Sequence, residues 1–201
     1  MLAAIKHGLR NLANFHGRDA RQAFWYYVLF VYLVTMALGM VVSIPMTTEA
    51  MMTGMQQGMA NAGNPDKSAT DAASQAAILG SMRGYMPFLV WSSFATAAIL
   101  LAGLATSIVR RLHDSGLSGY WALLPAGLQA INLALIPTQL SRIDEVLAAQ
   151  FTDPFAAFKI YDGALGVGAV SGWIAIALVI VIGVRKSSEE PNPYGEAPFV
   201  A

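Results

Sequence analysis

The sequence has no cysteine. Disulfides, thiolate metal sites and cysteine nucleophiles are excluded with it, while the redox compartment is left open. Charge is scarce too. Asp, Glu, Lys and Arg together make up 12% of the 201 residues, against roughly 25% in soluble domains. Twelve basic and twelve acidic residues cancel to a formal net charge of zero. Nucleic acid is therefore not expected as a partner, because phosphate binding is driven by an excess of Lys and Arg. There is no G-x-S-x-G, P-loop or H-E-x-x-H, and His7, His16 and His113 have no ligand spacing. No catalytic residue, cofactor or metal is expected.

What is present is apolar. Hydrophobic residues reach 56% and the mean hydropathy is +0.52. Charges are absent from residues 22–48, 84–109, 115–141 and 163–184. Each interval can hold the roughly 20 residues that cross a hydrocarbon core. A charge at the bilayer centre costs about 2.5–3.5 kcal/mol, so four clean gaps of this length point to four spans. The expected fold is an all-α membrane protein, a single domain over 1–201 with transmembrane helices near 23–46, 86–109, 119–137 and 164–184. Pro45 and Pro137 are expected to mark the ends of the first and third spans.

Residues 1–16 place Leu2, Ile5, Leu9 and Leu12 on one helical face and Lys6 and Arg10 largely elsewhere. This is the pattern of an amphipathic interfacial helix, ending at Gly17. Arg18 and Arg21 share a helical face, and Phe24-Trp25-Tyr26-Tyr27 follows, as basic and aromatic residues do at a membrane boundary. The connector 47–84 holds Met51, Met52, Met55 and Met59. Met51, Met55 and Met59 are four apart. Thioethers suit Cu(I), but a flexible apolar face resting on lipid or on the bundle is the favoured reading. Gln129 and Asn132 fall on one face of the third span, where amides seek partners across a bundle; contact with a substrate is the other reading. In the connector 138–163, Ser141 and Thr152-Asp153-Pro154 read as helix starts.

Four spans put both termini on one side with the Arg110–Ser118 turn. That side carries Lys6, Arg10, Arg18, Arg21, Arg110, Arg111, Arg185 and Lys186. The other carries Lys67, Arg83, Arg142 and Lys159 in much longer connectors. The positive-inside rule places the termini, the turn and the tail 185–201 in the cytoplasm and both long connectors outside.

Three motifs stand out: Phe15-x-Gly17-Arg18-x-x-Arg21-x-x-Phe24-Trp25, Arg110-Arg111-Leu112-His113-Asp114-x-Gly116-x-Ser118-Gly119-x-Trp121, and Asn192-x-Tyr194-Gly195. Together they resemble the bacterial family catalogued as domain of unknown function 805. The resemblance implies a small inner-membrane protein and no particular activity. The connectors 47–84 and 138–163 depart from it by their length.

The matching residues gather at one interface: Arg18, Arg21, Arg110, Arg111, His113 and Asp114. They support a lipid- or protein-binding module, since arginine forks bind phosphate bidentately. They equally support a structural latch in which Asp114 pairs with Arg18 or Arg21. The partners expected are membrane lipids, and also another membrane protein or a second copy. A small transporter or channel with a polar path along spans 2 and 3 is the alternative, and an enzyme is the least favoured.

Overall fold

The computed structural model describes residues 1–63, 67–141, 163–188 and 191–195. Its helices are α1 (Leu2–Arg10), α2 (Arg21–Ala60), α3 (Lys67–Gly84), α4 (Met86–Asp114), a 3₁₀ turn (Gly119–Ala122), α5 (Leu123–Ser141) and α6 (Gly163–Val184). Segments of α2, α4, the 3₁₀ turn with α5, and α6 are long and apolar enough to cross a membrane. The four expected spans fall on them. Large apolar side chains cover their outer faces; Trp91, Trp173 and Val41 are among the most exposed. This is the surface of an integral, multi-pass membrane protein, whose solvent on that face is lipid.

Two boundaries differ from expectation. The helix that carries the first span does not end at Pro45; α2 runs through it to Ala60. Proline removes one backbone donor and crowds the preceding turn. Here the hydroxyl of Ser43 donates to the carbonyl of Met40, and that of Thr47 to the carbonyls of Ser43 and Ile44, all at 3.0 Å. These bonds engage carbonyls that precede the proline; the carbonyl it deprives of an N–H partner is that of Val41. Likewise α5 passes Pro137 and ends at Ser141. The N-terminal helix is shorter than expected. It stops at Arg10, where Asn11 bonds back to the His7 carbonyl at 2.9 Å.

The connector 47–84 is thus mostly helix. At 1.5 Å per residue, 40-residue α2 is about 60 Å long, twice a hydrocarbon core of about 30 Å. Its second half leaves the membrane and α3 packs back along it. Asn61 ties the hairpin by donating to the Thr70 carbonyl and the Ser74 hydroxyl. The Tyr85 hydroxyl donates to Glu49 at 2.5 Å. That bond, then burial and the Glu49 charge, hold the Tyr85 phenol above its ordinary pKa. The helix starts expected at Ser141 and Thr152 concern residues 142–162, which lie outside the described residues.

The spans associate in pairs. Gly103 of α4 meets Val31 of α2. In the other pair, Asn132 of α5 donates to the Gly168 carbonyl of α6 at 3.0 Å, and a Cβ on Gly172 would lie 2.9 Å from the Asn132 amide nitrogen. The small-residue face of α6 is therefore used inside the bundle. The pairs meet at one end, around Phe24, Ile108, Leu112 and Ile182, with Trp25, Val28 and Leu104 against them.

Candidate functional site

The end where the pairs meet is also where the charges lie. Gly17 has φ of +96°, a conformation other residues resist. It turns the chain from α1 so that Arg18 and Asp19 enter the bundle, 5% and 2% exposed. From α4, Arg110, Arg111 and Asp114 arrive at 2%, 0% and 0% exposed. Five ionised side chains thus lie out of water. Such groups persist only when paired and hydrogen-bonded.

Two carboxylates organise them. Asp19 accepts from Arg110 Nε at 3.0 Å and from the Ser107 hydroxyl at 3.2 Å, and its Oδ1 lies 3.1 Å from His7 Nε2. Arg110 Nη1 donates to the carbonyls of Asn11 and Asn14 at 2.9 and 2.8 Å. That contact holds the α1–α2 linker on α4. Asp114 accepts from Arg18 Nε and Nη2 at 3.3 and 3.2 Å, and from Arg111 Nη1. A carboxylate at a helix C-terminus opposes the helix dipole, so Asp114 depends on these two guanidiniums.

The chain leaving α6 completes the knot. Arg111 donates to the carbonyls of Gly183 and Arg185 and to the Ser187 hydroxyl. Arg18 donates to the Ser188 carbonyl, and the Ser188 amide to the Asp114 carbonyl at 2.8 Å. Asn192 donates to the His113 carbonyl at 2.8 Å. The rings of His113 and Tyr194 stack with centroids 4.0 Å apart and planes 3° apart. At the end of α4, Gly116 adopts φ of +75° and the Leu117 amide bonds the Leu112 carbonyl at 2.9 Å, a glycine C-cap. Ser118 then caps the 3₁₀ turn through the Tyr120 amide.

The family model for a protein of unknown function, DUF805, matches residues 12–196. The chain belongs to the DUF805 family. No curated protein and no solved structure matches it. The DUF805 match takes in all four spans, the turn and the Asn192–Gly195 segment, and begins after α1.

Within this DUF805 protein the structure brings together Arg18, Arg110, Arg111, His113 and Asp114 from the sequence-derived set. The Asp114–Arg18 pairing is observed. Arg21 is exposed on the first turn of α2 and pairs with neither carboxylate in the observed ion pairs. Sequence reasoning missed Asp19, His7, Ser107 and the two serines of the tail. One signal for Asp19 was available: it is the only carboxylate before Glu49, set in a run of arginines. Asn132 bonds across to α6, and Gln129 is half-buried on the same helix. Met51, Met55 and Met59 lie far from the cluster, on the protruding half of α2. Among the described residues, no group of three or more His, Cys, Asp or Glu could hold a metal ion. Chemically the cluster is a clamp: both carboxylates are taken up by guanidiniums, and the remaining guanidinium donors mostly reach backbone carbonyls of other segments.

Proposed function

We propose that this DUF805 protein is a lipid-binding module of the bacterial inner membrane, with both termini and the Arg110–Ser118 turn in the cytoplasm. The observation that carries the reading is a split among its cations. Arg18, Arg110 and Arg111 are buried and engaged with Asp19, Asp114 and carbonyls. Lys6, Arg10, Arg21, Arg185 and Lys186 are exposed around them. On α1 the exposed cations accompany the exposed apolar residues Leu2 and Leu9, as in a helix lying in the headgroup plane. Each cation held near an anionic surface contributes about 1 kcal/mol. In this reading Arg18, Arg110, Arg111, His113 and Asp114 are a latch that fixes α1, the turn and the tail at one level. The headgroups meet the outer cations. No catalysis is assigned.

The reading is tested by native mass spectrometry of the protein released from mild detergent. Retained anionic phospholipid is expected, and its loss in a Lys6→Gln/Arg10→Gln/Arg21→Gln variant with an unchanged melting temperature. A bare monomer overturns lipid binding. A retained second subunit moves the reading to a protein-binding module, and solute flux into proteoliposomes to a transporter.

A further inference from the structure

The methionines on the protruding half of α2 have no role in the latch or the bundle. Met51, Met52, Met55 and Met59 are 68%, 57%, 61% and 70% exposed. At 100° per residue they fall within an arc of about 100°. The opposite arc, with Thr53, Gly54 and Gln57, is half-buried, and Gly54 meets Ile78 of α3. The thioethers therefore point away from the hairpin's own contact.

Their depth matters as much as their face. Tyr26 marks one headgroup boundary, and the rise from Tyr26 to Met51 is about 37 Å. That exceeds a hydrocarbon core of about 30 Å. These side chains emerge on the side of the membrane opposite the latch. Methionine ordinarily fills gaps in a core; here four of them fill none among the described residues.

The spacing gathers donors. Met55 is the common neighbour, four residues from Met51 and three from Met52, whereas Met51 and Met52 diverge by about 100° and meet only through it. Unbranched side chains with three rotatable bonds can bring these three sulfurs together. Met59 lies one turn further on. The chain has no cysteine, and His7, His16 and His113 belong to the latch end, so no thiolate or imidazole competes with the thioethers among the described residues. Such a set selects soft monovalent cations over Zn(II), Cu(II) or Mg(II), which prefer nitrogen or oxygen.

We propose that Met51, Met52 and Met55, with Met59 as a fourth donor, form a site for a soft monovalent cation, Cu(I) or Ag(I). Binding involves no change of oxidation state. The test titrates Ag(I), which needs no reductant, into the full-length protein in detergent. Isothermal titration calorimetry and native mass spectrometry read the result. One Ag(I) per chain is expected, with affinity at least tenfold weaker in a Met51→Leu/Met52→Leu/Met55→Leu variant. Leucine keeps the apolar face and the helix propensity, so circular dichroism should be unchanged; if the triple variant misfolds, Met55→Leu alone is used and must also weaken binding. No Ag(I) binding, undiminished binding in the leucine variants, or displacement of Ag(I) by Zn(II) overturns the proposal.

Discussion

Replacing Asp114 by asparagine keeps the shape of the side chain and removes its charge. Asp114 is 0% exposed and accepts from both Arg18 and Arg111. Neutralising it leaves three buried guanidiniums facing one buried carboxylate, Asp19. Breaking a buried ion pair by removing one partner costs about 3–5 kcal/mol, and here two guanidiniums lose their partner at once. The amide oxygen can still accept one hydrogen bond, which returns about 1 kcal/mol. Each kcal/mol moves the melting temperature by about 2–4 °C in a chain of this size. With a net cost of about 2–4 kcal/mol, Asp114→Asn should melt roughly 4–16 °C below wild type, read in detergent by tryptophan fluorescence, for which Trp25 sits beside the core. An Arg18→Met/Asp114→Asn double variant should be less destabilised than the two single losses summed, because it removes one of the stranded charges. A melting temperature for Asp114→Asn within about 2 °C of wild type would refute the latch.

Gly183→Ala should be destabilising, since a Cβ there would lie 2.5 Å from the Trp25 ring and 2.8 Å from the Phe24 ring; the check is a lowered melting temperature and a changed Trp25 emission. Asn192→Ala combined with Tyr194→Ala removes the hydrogen bond and the ring stack that hold the tail to His113. Limited proteolysis within 185–195 should become faster while the spans stay protected. The Glu49–Tyr85 bond raises the phenol above 10.0, so its contribution is present below the ordinary tyrosine pKa and is lost as pH rises through the raised value. A difference titration of Tyr85→Phe against wild type should show one phenolate appearing above pH 10. A reporter fused after Ala201 should behave as cytoplasmic; an external C-terminus contradicts the proposed sidedness.

Four spans and the turn at Arg110–Ser118 were legible from sequence because each is local. A stretch without Asp, Glu, Lys or Arg is apolar whatever it packs against, and a lipid solvent demands length and hydrophobicity above all. The same local logic did not give the end of the helix at Pro45. Proline removes one backbone bond and crowds the preceding turn, yet α2 continues through it to Ala60.

The charge cluster was legible in kind and not in pairing. Arg18 with Asp114 was one of two readings, and the other, Arg21, belongs to the surface. Asp19 with Arg110 joins residues 91 positions apart, and Arg18 meets Ser188 at 170. Nothing in the spacing of the chain encodes such contacts. They depend on which helix ends meet when two hairpins dock, and on a left-handed glycine that aims Arg18 and Asp19 inward. The sequence by itself determined that this chain lives in a membrane and where it crosses. Only the tertiary structure decided which of its cations are buried in a clamp, which remain on the surface, and which methionines are left uncovered, because burial of a side chain is a property of its neighbours in space.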